Sequence, residues 1–499
     1  MKKNLIASLL LLYSTTVDGL TYTDHFNDIQ ENSARSFMFT RPIFAHDSTE
    51  QAIWHNFINN NKNAMGGNFQ IIGAYQQSRT DTAIDHYFLL RCKDQLLVAG
   101  DDTSYKECRD IRAEWIGLPS DFSGRMAVNP QQTQAGLTIE YCQDLNAFFD
   151  YGFFDGTWIN VQFPFVWVQN KMNLVQFDVT PGTQTNPFGP TDIIQAFSQP
   201  AWEFGKIVNK RCRFELGALT VQMGRSFISE RNGMQVSYYS GLVIPTGSKQ
   251  DAEFLFDAVT GYNGHCGLNA GVRFNILLNK DTDYFSFCFF ADLDDIFLIR
   301  NEQCRTLALL DPVTRIGKPL SRFIAFNTKC PDEQNVPGVN ILTRTIRSRP
   351  YNIADFTTGF RVSVCQWLEF ECGYGIWGHG EEKVILRNPL FFQENFGIAG
   401  TTAGTTANIF LSSVAQQGPD NIDPITSEPI FVPISECDLD MRAAASGPAL
   451  NQKAFASLGI QKFGGPIEYF LASGFFLDFP HKNAALKTWG AWAKAGASF

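Results

Sequence analysis

From residue 68 to the C-terminus, apolar and polar residues alternate in a series of separate stretches. Phe69, Ile71, Gly73 and Tyr75 share one parity. Ala135, Leu137, Ile139 and Tyr141 stand against Gly136, Thr138 and Glu140, and Ile159, Val161, Phe163, Phe165 and Trp167 against Asn160, Gln162 and Pro164. A less regular stretch runs from Phe214 to Gln222. Further stretches run through Met234–Ile244, Leu268–Leu278, Phe285–Leu293, Phe356–Val364 and Leu368–Ile376. Ala454–Ile460, Ile467–Phe479 and Trp489–Phe499 complete the series. A period of two puts successive side chains on opposite faces of a β-strand. The pattern predicts about twelve strands, several with the roughly 9–11 residues that a tilted strand needs to cross a bilayer.

The connections sharpen this picture. Short links at 150–155, 229–233, 279–283, 365–367 and 463–466 alternate with long ones near 78–133, 170–211, 246–264, 294–353 and 378–452; only 480–487 is brief among the latter. A membrane barrel with both ends of its sheet on the periplasmic side has short periplasmic turns, long extracellular loops and an even strand count. A soluble sandwich would bury the apolar face against a second sheet, and has no reason to alternate loop length. The expected fold is therefore all-β: an antiparallel up-and-down transmembrane β-barrel of about twelve strands over residues 67–499.

The last stretch carries a resemblance. Trp489, Ala491, Ala493, Ala495, Ala497 and Phe499 alternate with Gly490, Trp492, Lys494, Gly496 and Ser498, and the sequence stops on the aromatic residue. This is similar to the closing strand of bacterial outer-membrane β-barrels, whose terminal Phe and alternating residues signal to the barrel-assembly machinery. The resemblance rests on patterning over 67–499 and carries no family motif. It implies an outer-membrane location, contact with lipid and with that machinery through Trp489 and Phe499, and a porin-like channel for small polar solutes. A homo-oligomer is left open.

Composition agrees. Of 499 residues, 18% are charged and 14% aromatic, with 45 Phe; a soluble domain typically has roughly 25% charged residues. The net charge of −10, without a long basic run, gives no footprint for nucleic acid. Lys2 and Lys3 before the apolar run Leu5–Leu12, with Val17-Asp18-Gly19 after it, read as a signal peptide over 1–19. Residues 20–66 form a plug or periplasmic segment, in which Ser48-Thr-Glu-Gln51 suggests a helix cap ahead of Ile53, Trp54, Phe57 and Ile58. Eleven cysteines in an exported chain make Cys92–Cys108 and Cys304–Cys330 candidate disulfides.

If the apolar parity meets lipid, the other lines the lumen. Glu140, Arg213, Glu215, Arg273, Arg361, Glu369, Glu371, Lys453, Glu468 and Lys494 are the candidate pore-lining charges, and their mixed signs predict a hydrated lumen of weak ion selectivity. Tyr141, Trp158, Trp167, Tyr238, Trp377 and Trp489 lie near strand ends, where an interfacial girdle would sit. Pro190–Phe197 reads as a short loop helix, and Asp292-Leu-Asp-Asp295 as a solvated strand end rather than a calcium loop. No cofactor or metal site is expected, nor an enzyme: the metalloprotease, hydrolase-elbow and P-loop motifs are missing. His379 with Glu381 is the sole candidate for a barrel-rim hydrolase. The alternative to a channel is a plugged structural or adhesive barrel that presents its long loops.

Overall fold

The computed structural model describes residues 34–46, 52–53, 65–79, 84–90, 93–149, 152–184, 186–229, 233–279, 284–329, 335–350, 352–365, 367–388, 395–462, 467–481 and 485–499. The signal peptide lies outside these residues, as do most of the helix expected after Ser48; Ala52 and Ile53 form a turn.

Twelve strands close on themselves. They are β1 (Gly67–Ser78), β2 (Gln131–Asp144), β3 (Thr157–Lys171), β4 (Leu219–Ser229), β5 (Met234–Ile244) and β6 (Gly267–Leu277). The second half is β7 (Phe285–Leu298), β8 (Ile353–Val364), β9 (Leu368–His379), β10 (Ala449–Lys462), β11 (Glu468–Pro480) and β12 (Thr488–Ser498). Each pairs antiparallel with its neighbours in sequence, and β12 returns to β1 from Asn68↔Ser498 to Ser78↔Thr488. Closure leaves no edge strand, which is what lets a sheet stand in lipid.

The seam shows what the terminal residues do within the fold. Phe499 N donates to Gly67 O (2.9 Å), and Gly67 N to Phe499 O (3.0 Å). The Phe499 ring lies over Gly67 so closely that a Cβ there would stand 2.6 Å from it, and a larger residue would push the ring aside. Trp489 packs against Tyr75 across the same seam, with ring centroids 5.7 Å apart. Phe499 and Trp489 thus fasten the last strand to the first.

Strand four differs from its expected bounds, and the cause is local. The sheet against β3 is made in two pieces, Arg211–Leu216 and β4, broken at Gly217–Ala218. Pro164 of β3 faces the break and has no N–H for the ladder; its carbonyl accepts from Gly217 N at 2.6 Å. The stretch 214–222 straddles this break, so its alternation slips.

Outward positions are apolar and exposed, among them Leu137, Tyr238, Leu268, Phe360, Leu471 and Trp489. They form a belt suited to hydrocarbon. The long connections do not remain loops. They build a cap over one end of the barrel, with small sheets such as that of Leu96–Ala99, Ile111–Arg112, Ser123–Ala127 and Val175–Thr180. The expected helix is present as Ile193–Ser198, where Asp192 accepts from Gln195 N (2.8 Å) as its N-cap. Phe88, Phe122, Phe197, Trp202, Phe323, Phe326 and Leu439 meet in one apolar core in the cap, drawn from several connections. The largest hydrophobic cluster among the described residues is therefore outside the barrel, while smaller ones lie within it.

Candidate functional site: the lumen and the segment that crosses it

Residues 34–46 pass from the cap into the barrel, and Ala52 and Ile53 lie deeper inside it. At the cap end Arg35 N donates to Tyr87 O (2.9 Å), Ser36 N to Ala443 O (2.7 Å), and the buried Arg322 donates to Ala34 O and Phe88 O. The chain then enters the mouth. Phe39 lies between Trp377 and Tyr262, each 6.3 Å away. Arg41 pairs with Asp355 of β8 and reaches Asp478 of β11 at 3.9 Å. Ile43 N donates to Gln134 of β2 (2.9 Å), and His46 sits on Phe476 and bonds Gln76 of β1 (3.0 Å). Near the opposite end Ile53 N donates to Glu369 Oε1 of β9 (2.8 Å). The chain reappears at Gly66 and Gly67 among the short turns, where β1 begins. The described part of residues 20–66 thus lies against the cap and within the barrel.

Strand parity decides which candidate charges reach the lumen. Glu140, Arg273, Arg361, Glu369, Glu371, Lys453 and Lys494 all point inward and are buried. Arg361 bonds Glu371 (2.8 Å), Glu369 (3.3 Å) and Asn275 (3.2 Å), and lies over the Phe290 ring. Glu140 accepts from Gln70, Asn160 (2.7 Å) and Gln162 (3.2 Å). Lys453 and Lys494 stand over Phe455 and Phe470. These groups are buried and cross-bonded to one another and to polar neighbours on adjoining strands. In low dielectric, charge survives only when paired or hydrogen-bonded.

Three candidates fall elsewhere. Arg213 and Glu215 belong to Arg211–Leu216 beyond the break, where Arg213 meets Asp257 (3.5 Å) and Glu215 accepts from Thr260 (3.0 Å). They serve the base of the cap. Glu468 is on the inward face but half-buried at the first residue of β11, on the turn-side rim.

The girdle also needs correction. Tyr141, Tyr238 and Trp489 are exposed on the outside, and Trp167 shares their parity on β3. Trp158 and Trp377 are buried inside, the first under Tyr239 and the second against Phe39. Their parity, opposite to Ile159 and Ile376, was the signal to heed.

A small cavity of roughly 50 Å³ lies between the N-terminal segment and the β3–β9 wall, lined by Phe44, Gln222, Tyr239, Asp292, Asp294 and Trp377 among others. Asp294 accepts from Tyr239 Oη (2.6 Å) and Asn269 Nδ2 (2.7 Å). Asp295, one residue on, has the opposite parity and accepts from Asn352 (3.1 Å), so alternation separates it from Asp292 and Asp294, which share the cavity face. Among the described residues no three His, Cys, Asp or Glu side chains come together to hold a metal. His379 Nδ1 bonds Gly380 O (2.8 Å) while Glu381 pairs with Arg35 (3.1 Å), and they form no acid–base pair with each other. Cys108 and Cys304 are free thiols; Cys92 and Cys330 lie outside the described residues.

No protein-family model and no curated relative matches the chain. Solved structures with a similar outline include an outer membrane channel from Pseudomonas putida F1 (TM-score 0.36, 11% identity, 87% of this chain and 96% of that one). A mutant of the TodX monoaromatic hydrocarbon channel gives a TM-score of 0.34 at 9% identity, covering 89% and 94%. The beta domain of the Bordetella autotransporter Brka gives 0.29 at 7%, covering 87% and 99%. At TM-scores this low, these likenesses lend no support of their own to any function.

Proposed function

We propose that this chain is an outer-membrane transport channel for small polar solutes, held shut by its own N-terminal segment beneath a folded cap. One observation supports this above the rest. A separate piece of chain, held by polar wall groups, occupies the upper lumen; the wall strands do not collapse on one another there. Its partners are Gln76, Gln134, Asp355, Glu369 and Asp478. Withdrawal of the segment would leave these groups facing water, a lining that suits polar rather than apolar cargo. The cap favours a second reading, a sealed barrel that displays its folded loops, because its own core would serve display without any passage.

Planar-bilayer recording of the refolded protein separates the two. The native chain is expected to stay closed with rare openings, and Arg41→Ala, which removes the ion pairs to Asp355 and Asp478, to open far more often. Insertion of both proteins without conductance at any voltage would overturn the channel and leave the display barrel.

A further inference from the structure

The short turns are small except for residues 145–156, between β2 and β3. This turn carries two 3-10 segments, Leu145–Ala147 and Gly152–Phe154, and four phenylalanines. Phe148 is 67% exposed, Phe149 47% and Phe153 75%. Phe154 gathers them, with its ring 5.0 Å from Phe149 and 5.3 Å from Phe153. Nothing within the described fold covers the group, and the cap lies at the other end of the barrel. A cluster of bare aromatic rings in water is unfavourable and marks a contact surface.

We propose that this turn enters the membrane interface of the leaflet on the short-turn side and anchors that end of the barrel in phospholipid. The proposal rests on the reading of the barrel as membrane-spanning. The occupant follows from continuity with the lipid-facing belt. The outward rows of β2 (Leu137, Ile139, Tyr141) and β3 (Phe163, Val161, Ile159) lead directly into the turn. Other short connections around the same rim carry exposed Tyr284, Phe285, Trp367 and Tyr469. Aromatic rings favour this boundary zone, where an apolar body meets wet headgroups. Asp144 caps the first 3-10 segment by accepting from Asn146 N (2.9 Å), which leaves the rings as the part of the turn suited to lipid.

The test is photo-crosslinking in the full-length protein, folded into phosphatidylethanolamine–phosphatidylglycerol vesicles. Phe153→p-benzoylphenylalanine and, separately, Phe148→p-benzoylphenylalanine place the probe in the turn. The same replacement at Phe475, exposed on the outer face of β11, reports the bilayer, and at Phe188, 95% exposed on the cap, reports water. The expected result is a mass shift of one phospholipid for the Phe153 and Phe475 proteins and none for Phe188, with Phe148 guarding against a misfolded Phe153 variant. Lipid adducts at Phe475 but at neither turn position would overturn the anchor and leave the barrel standing. Coupling of the turn to a second protein chain would overturn it in favour of a protein partner. Absence of lipid adducts even at Phe475 would overturn the membrane reading itself, and the anchor with it.

Discussion

The barrel wall and the cap are made from one chain by opposite rules. In the wall, apolar side chains face out, and the inward face mixes ion pairs such as Arg361 with Glu369 and Glu371 with buried rings such as Phe290, Phe455 and Trp492. In the cap, apolar side chains converge on one core around Phe197, Trp202, Phe323 and Phe326, and buried charges such as Arg322 and Lys318 donate to backbone carbonyls. The difference shows that solvent decides which face a strand buries. Where lipid takes the apolar face, hydrogen bonds and ion pairs share the specification of the interior with packing; where water surrounds the fold, packing leads.

Removing the charge that organises the wall interior should have the largest effect. Arg361→Ala leaves two buried carboxylates without their guanidinium, a loss of about 3–5 kcal/mol. It should appear as a lower urea midpoint for the vesicle-folded barrel. A change no larger than that of an exposed substitution would mean that packing, not pairing, holds the interior. In the cap, Phe326→Ala is expected to cost about 3 kcal/mol through the cavity it leaves. Limited proteolysis should then nick the cap while the barrel keeps its native gel mobility; loss of both together would show that the two regions fold as one unit.

The smallest effect concerns a cap carboxylate. Burial works to raise the Asp101 pKa, but the guanidiniums of Arg109 (2.7 Å) and Arg112 (2.8 Å) overcome it and hold the group below the usual 3.8. A lowered folded-state pKa means that its contribution is present above pH 3.8 and lost as the pH falls through the folded value. Asp101 is partly exposed, so the contribution is below about 1 kcal/mol. Acid titration of cap stability should become flatter in Asp101→Asn, while the stability of the barrel is unchanged.

The same contrast explains what could be read from the sequence. The wall was legible because each strand repeats one simple instruction, and lipid enforces it along the whole length. It failed where the backbone slipped, at Pro164 facing Gly217, and where position near a strand end was allowed to outweigh parity, at Trp158 and Trp377. The inward charges of the regular strands could be named, yet not their partners, because parity gives direction and says nothing about what fills the space. The plug and cap were opaque for another reason. Their contacts join residues far apart in sequence, as Arg35 joins Glu381 across 346 positions, and no local period marks such a pair. The turn phenylalanines were visible as letters, but their exposure depends on where the sheet ends.

The crossing segment can also be regarded as a ligand covalently tied to its receptor. Residues 34–46 and Ile53 are bound by the barrel and cap, and the chain leading to Gly67 is their tether. A short tether gives an effective concentration of about millimolar. Contacts too weak to hold a free peptide are then enough to keep the lumen occupied. A cut between Ile53 and Met65 would turn occupancy into an ordinary bimolecular equilibrium, filled at high peptide concentration and emptied by dilution.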